Sequence, residues 1–263
     1  MQFWCSASSK AWEWSWTAYP GVWMLVALVA FAELRLTRGA AVTSRQRAFG
    51  WAGVVVIWLA LDWPLGPLGA GYLASAHAFQ FLLVALVAPP LLLLGARNGL
   101  AAWWARGASV GFSGQTIATL TKPLVAAVLF NLFTISTHVP AVVDAWMPTQ
   151  LGAFGIDALW LVGGVLFWWP MIVPVPVRPW FGGGAKLLYL FLGTVVHTGI
   201  AIAMLMRDFP MYRVYELAPP MSGLSAMDDM RIAGGIMELA GSAIILGIMT
   251  VIFFRWSREA EPT

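Results

Sequence analysis

Seven long apolar stretches constrain this chain more than any other feature of its sequence. They cover residues 21–34, 48–63, 68–95, 123–141, 151–173, 187–206 and 232–254. A membrane-spanning helix needs about 20 mostly apolar residues, and flanking side chains can extend a shorter stretch. Backbone polar groups in lipid must pair internally, and unbroken apolar runs lack the alternation of a barrel strand. The sequence therefore predicts an all-α membrane protein, a seven-transmembrane helix bundle in a lipid bilayer.

The arginine and lysine residues between these stretches predict the orientation of the bundle. If the N-terminus lies outside, 11 of the 15 cationic residues fall in cytoplasmic segments and four fall outside. The cytoplasmic set is Arg35, Arg38, Arg45, Arg47, Arg97, Arg106, Lys122, Arg178, Lys186, Arg255 and Arg258. Short cytoplasmic loops carry the excess of such residues. We therefore predict an outer Trp-rich segment (residues 1–20), a seven-span domain (21–256) and a cytoplasmic tail (257–263).

Several functional classes do not fit the composition. The net charge of +3 comes from single basic residues spread between the stretches, so no nucleic-acid partner is expected. Cys5 is the only cysteine, which excludes a disulfide or a dithiol site within the chain. Lys10, Lys122 and Lys186 all lie outside the last stretch, so a retinal Schiff base there is excluded. No serine lies in a nucleophile-elbow motif, and we expect neither an enzyme nor a cleaved signal peptide.

Ionisable residues inside the apolar stretches are the candidates for function, because each costs about 2.5 to 3.5 kcal/mol to insert. His77, Asp157 and Glu238 each lie a few residues from the outer end of a stretch, roughly 10 Å below the surface. His138 lies at the lid of the same layer. These residues predict either a metal or proton site that opens outwards, or interhelical hydrogen bonds that hold the bundle together. His197, near the midplane of the sixth stretch, is interpreted as a packing residue.

Methionines are concentrated near the outer half of the last two stretches and in the loop between them. They are Met204, Met206, Met211, Met221, Met227, Met230 and Met237. Thioethers and imidazoles together suit Cu(I), which makes Met237 a weaker candidate ligand, but methionine is also a common apolar filler. The loop of residues 207–231 is either a docking surface or a solvated connector in which Asp228 and Asp229 begin a helix. Glu33 is expected to pair with Arg35 or Arg38.

Short motifs along the chain resemble those of one known family. They are residues 61–65 (LDWPL), 77–81 (HAFQF), 88–95 (APPLLLLG), 137–140 (THVP), 166–170 (LFWWP) and 225–237 (SAMDDMRIAGGIM). In this order they resemble the CtaG-type cytochrome c oxidase assembly factors. The family pattern on the third span is His-x-x-x-His, and Phe81 stands at its second position here. Asp157 corresponds to a family histidine on the fifth span, and the partner position one turn earlier holds Ala153 or Phe154.

The resemblance implies a seven-span protein of the bacterial inner membrane that assembles a copper-containing respiratory haem oxidase. Copper is the implied cofactor, handled on the outer side, with cytochrome c oxidase subunits as partners and no haem bound. His77, His138, Asp157 and Glu238 are then the expected metal site, with Met237 as a weaker contributor. The alternative is a docking or structural subunit of a membrane respiratory complex that binds no metal. A haem-binding electron carrier or a small-solute transporter is a third hypothesis, and a haem would require two facing axial ligands.

Overall fold

The computed structural model describes residues 2–108, 111–221 and 223–260, and this part of the chain contains helices and no strand. The helices are α1 (Pro20–Thr37), α2 (Ser44–Leu61), α3 (Leu65–Gly71), α4 (Ala74–Phe81), α5 (Ala88–Trp103), α6 (Phe112–Leu120), α7 (Pro123–Ser136), α8 (Pro140–Trp146), α9 (Gln150–Ile172), α10 (Gly183–Met206), α11 (Arg213–Glu216), α12 (Ala226–Gly235) and α13 (Gly241–Ala260). The all-α prediction is confirmed.

Five helices are long and apolar enough to cross a membrane, and two bent helix pairs raise the number to seven if each pair is one span. Helices α4 and α5 form one of the five, because the π-helical segment Leu82–Val87 joins them without a break. A second π-helical segment, Ile236–Ala240, joins α12 to α13 in the same way. The bent pairs are α2 with α3, at 47°, and residues 114–120 with α7, at 73°. The chain is thus a multi-pass membrane protein.

The largest differences between the predicted and observed span starts, six residues each, are at the third and seventh spans. The third span begins at Ala74 and not at residue 68, because α3 belongs to the bend after α2 and is rich in glycine and proline, which are weak helix formers. The seventh begins at Ala226, six residues before the predicted start at 232. There Ser225 caps the helix by accepting a hydrogen bond from the Asp228 amide, and acidic residues in the first turn favour the helix dipole. A helix N-terminus therefore lies at this end of the loop, as in the connector alternative, but Asp229 is buried and not solvated.

The connecting segments gather at two opposite ends of the bundle. At one, which we call the histidine end, residues 2–19, 62–73, 137–149 and 207–221 contact one another. The Ala7 amide donates to the Met147 carbonyl at 2.9 Å, and the Tyr212 hydroxyl donates to the His138 carbonyl at 3.1 Å. At the other, the arginine end, the Asn98 amide donates to the Ala41 carbonyl at 2.6 Å, the Arg178 guanidinium donates to the Thr121 hydroxyl at 3.1 Å, and Gly183 lies against the Trp256 ring of α13.

Close packing of α1, α2 and α5 buries Glu33, which is 7% exposed. Its carboxylate lies against Gly50 of α2 and Gly95 of α5, where only glycine leaves room for it. The predicted pairing of Glu33 with Arg35 or Arg38 is wrong: within the described residues Oε1 has no hydrogen-bond partner, and the Arg35 guanidinium lies 5.1 Å from the centroid of the Phe31 ring. Residues two apart do not share a helix face, so Arg35 points away from Glu33.

Candidate functional site

Two buried histidines lie side by side at the histidine end of the bundle. His77 is in the first turn of α4, and His138 is in the short turn between α7 and α8. Their ring centroids are 6.4 Å apart. Trp160 of α9 packs 4.7 Å from the His77 ring, and Phe81, one turn after His77, packs 5.1 Å from the His138 ring. The pair thus occupies an aromatic pocket within the bundle.

The hydrogen bonds of His138 determine which of its nitrogens is free. Its Nδ1 lies 2.7 Å from the Thr134 carbonyl oxygen, which can only accept, so Nδ1 carries the proton and donates. Nε2 is then left with a lone pair, and it is buried without a hydrogen-bond partner in the described part of the chain. Metal-binding histidines commonly donate their second nitrogen to a backbone carbonyl in this way. The arrangement presents Nε2 as a donor atom.

His77 is less satisfied than His138. Both of its ring nitrogens are buried, and neither has a hydrogen-bond partner among the described residues. The Gly69 carbonyl oxygen lies beside the ring outside hydrogen-bond geometry, and it accepts from the Tyr215 hydroxyl at 2.6 Å. Buried polar groups usually find partners, so an unsatisfied imidazole calls for an explanation. The two histidines together present three unpaired nitrogens in one pocket.

Helix α11 covers this pair from the loop between α10 and α12. Tyr215 lies 5.8 Å from His77 between ring centroids, and Tyr212 is bonded to the His138 backbone. Burial raises the pKa of both tyrosine hydroxyls, so both remain protonated and act as donors. The loop therefore forms a lid that is fixed by two tyrosines.

The start of α4 is held by Asp229, a residue that the sequence reasoning did not place in the site. Its carboxylate accepts from the Ala74 amide at 2.5 Å, from the Ser75 amide at 3.2 Å and from the Ser75 hydroxyl. These groups precede His77 by two and three residues. A carboxylate at a helix N-terminus satisfies free amides and favours the helix dipole. The sequence held a signal for this contact. Asp229 was a candidate for a helix N-terminus, and Ser75 lies two residues before His77.

Asp157 is engaged by the N-terminal segment. It accepts a hydrogen bond from the indole nitrogen of Trp4 at 2.8 Å, and the Gln80 amide nitrogen lies 3.5 Å from its other oxygen. Trp4 is itself buried, with its ring edge-on to Phe154. Asp157 therefore serves as the acceptor that anchors residues 2–19, which we call the N-terminal strap.

Glu238 and Met237 lie on the π-helical segment Ile236–Ala240, apart from the histidine pair. Glu238 accepts from the Ser242 hydroxyl at 3.2 Å and is close enough to His197 of α10 for an electrostatic interaction. Met237 is fully buried in the apolar core. Among the described residues, no group of three or more His, Cys, Asp or Glu side chains could hold one metal ion. The structure thus brings His77 and His138 together and places Asp157 and Glu238 in other contacts.

Comparison with known proteins gives one match. A family model described as cytochrome c oxidase caa3 assembly factor, Caa3_CtaG, matches residues 25–259. No curated protein and no solved structure matches the chain. The matched residues include all but the first few residues of α1 and extend nearly to the end of α13, with the histidine pair and its lid between them. The chain therefore belongs to the Caa3_CtaG family of cytochrome c oxidase caa3 assembly factors.

Proposed function

We propose that this assembly factor carries copper as cargo for its oxidase, through His77 and His138. The observation that supports this most directly is the set of three buried, unpaired imidazole nitrogens in one aromatic pocket. The family assignment suggests a non-catalytic role, and the oxidases that such factors serve are the natural partners. In this proposal the protein binds and releases the ion and performs no reaction on it.

The donor set suits copper in a labile site. Imidazole is a common copper ligand. Nitrogen ligands bind first-row metals at about 2.0 to 2.1 Å, so two rings on opposite sides of one ion have centroids roughly 6.3 to 6.5 Å apart. The observed separation of 6.4 Å falls in that range. Two donors hold copper less firmly than three or four would. Phe81, which offers no donor atom, stands where the family pattern has another histidine. Weak retention suits a protein that passes the ion on.

The proposed site opens to the outer side of the membrane. The cationic residues divide 11 to four between the predicted cytoplasmic and outer segments, which supports an outer location for the histidine end. The lid of residues 207–221 and the N-terminal strap then form the surface nearest the pair. We propose this surface as the place where cytochrome c oxidase subunits dock.

Copper binding by the purified protein tests the proposal. After anaerobic Cu(I) loading in detergent, elemental analysis is expected to find near-stoichiometric copper in the wild type. The His77→Ala, His138→Ala double variant is expected to lose copper affinity by roughly hundredfold or more, because both donors are removed. A visible spectrum of the same samples reports any bound haem, and none is expected.

His197→Ala is the matched control, since His197 is also a buried histidine with an unpaired nitrogen but lies on α10. It should retain copper as the wild type does. His77→Gln, which keeps a polar side chain, separates loss of the ligand from loss of folding. Equal copper content in all variants, or none in the wild type, would contradict the proposal and favour the docking subunit that binds no metal.

A cellular assay tests whether the pair matters for oxidase assembly. Deletion of the gene is expected to lower the copper content of the caa3 oxidase and to alter its haem spectrum. The wild-type gene and the His197→Ala variant should both restore these signals, whereas the double histidine variant, present at equal abundance, should not. Unchanged oxidase spectra after deletion would argue against the assembly role itself, separately from the copper question.

A further inference from the structure

The arginine end contains a cationic cavity that the copper proposal does not use. It has a volume of about 240 Å³ and lies between the C-terminal end of α9, the connector of residues 173–182 and the start of α10. Arg97 of α5, Arg178 of the connector and Lys186 of α10 line it. Of the described residues, none that lines this cavity is acidic. Three cationic residues therefore line one small volume, with no carboxylate among its described lining residues.

The hydrogen bonds of these cations leave their charge uncompensated. The Arg178 guanidinium donates to the Thr121 hydroxyl at 3.1 Å and to the Pro176 carbonyl at 3.3 Å, and both acceptors are neutral. Burial lowers the pKa of Arg178 below its ordinary value. The Lys186 ammonium lies 6.0 Å from the Phe181 ring centroid, which offers it only a weak cation–π contact. The cluster thus has electrostatic capacity for an anion.

The start of α10 supplies the lysine of the cluster. Gly182 occupies the N-cap position and provides no side-chain hydrogen bond, and the first turn has no acidic residue. Lys186, the fourth residue of the helix, lines the cavity, whereas residues 182–185 do not. The helix dipole favours negative charge near this end.

Exposed apolar side chains of the connector favour a lipid as the source of the anion. Val177, which lines the cavity, is 77% exposed, and Trp180, next to the lining residue Phe181 in the chain, is 66% exposed. Tryptophan at the end of a span typically lies at headgroup depth. Basic pockets between membrane helices bind anionic headgroups, and each cation contributes to the attraction. A soluble phosphate would gain nothing from Val177 and Trp180, whereas a lipid would pack its chains against them.

We propose that this cavity binds the phosphate of an anionic phospholipid headgroup, with Arg97, Arg178 and Lys186 as the recognising side chains. The bound lipid fixes the arginine ends of α5, α9 and α10 relative to one another. This site lies at the opposite end of the bundle from the histidine pair, so the lipid proposal can be tested independently of the copper proposal.

Native mass spectrometry of the detergent-purified protein tests the site, with phosphatidylglycerol, cardiolipin, phosphatidylcholine and inorganic phosphate as separate probes. One anionic lipid is expected to remain bound, with phosphatidylcholine and inorganic phosphate released. The Arg97→Gln, Lys186→Gln double variant should weaken that binding roughly tenfold to thirtyfold, because two of three charges are lost. Arg97→Gln alone, a change at an exposed position, should show a smaller loss in the same direction.

The matched control is Arg255→Gln, Arg258→Gln, which removes two exposed charges at the same end but outside the cavity. It should bind the lipid as the wild type does. Equal weakening in the control would overturn the proposal, because it would mean that only general surface charge matters. Tight binding of inorganic phosphate without lipid would overturn the lipid assignment and give the cavity to a soluble anion.

Discussion

Replacing Asp229 by alanine is expected to lower the free energy of unfolding by about 3 to 5 kcal/mol, since buried charge-assisted hydrogen bonds are costly to lose. Asp229 is 3% exposed and accepts three hydrogen bonds from Ala74 and Ser75. Its removal leaves the two amides at the start of α4 without acceptors. His77 follows within the same turn, so copper affinity should also fall, by roughly tenfold, as for other groups that orient a ligand.

The measurements are thermal unfolding in detergent and copper retention after Cu(I) loading. Asp228→Ala is the matched control, because it removes the same charge from the residue that precedes Asp229, and the Asp228 side chain is exposed. The Asp228→Ala variant loses only the hydrogen bond from the Ser225 hydroxyl at the helix cap. Its free energy of unfolding should fall by about 1 kcal/mol or less. Equal effects of the two substitutions would show that Asp229 contributes only charge. Unchanged copper affinity in a folded Asp229→Ala variant would show that Asp229 does not position His77.

Gly95→Ala is expected to destabilise the protein by about 2 to 3 kcal/mol through overpacking. A methyl group there would overlap the Glu33 carboxylate and would lie 2.5 Å from the Cα of Gly50. Because the second contact is with backbone, α2 and α5 would have to move apart. Small residues permit this kind of close helix approach in membranes. Thermal unfolding in detergent, followed by recovery of monodisperse protein, measures the loss.

Gly247→Ala provides the control, because Gly247 lies in α13 with open space around its Cα. That substitution should be neutral or slightly stabilising, since alanine is the better helix former. Adding Glu33→Ala to Gly95→Ala should restore only part of the stability, because the overlap with Gly50 remains. Full restoration would contradict this account and assign the whole cost to the glutamate.

Hydropathy and spacing predicted the all-α class and the order of the spans, because lipid forces apolar runs into helices. They also predicted that His77 and His138 lie near the same end of the bundle, because both residues are close to the outer ends of predicted spans. They could not show which of the candidate site residues lie together, because depth along a helix says nothing about which way a side chain faces. Asp157 turned out to bind Trp4, a residue 153 positions away, and such a contact leaves no local pattern in sequence.

The start of the seventh span was missed for a related reason. The span was predicted to begin only after Asp228, Asp229 and Arg231, because charges are rare within spans. In the folded chain, Asp229 is buried where it meets the amides of α4, so a charged residue extends the helix instead of ending it. The cationic cavity escaped notice because Arg97, Arg178 and Lys186 are far apart in sequence. Each looked like one more cytoplasmic charge until folding placed them around one volume.

The N-terminal strap has a consequence for the order of synthesis. Some of its contacts are with early elements: the Cys5 thiol donates to the Leu61 carbonyl, and the Lys10 carbonyl accepts from the Tyr72 hydroxyl. Trp4 instead donates to the Asp157 carboxylate, 153 residues further along the chain. Trp4 therefore has no acceptor until α9 has been synthesised and inserted. Complete closure of the strap requires that translation has passed the fifth predicted span.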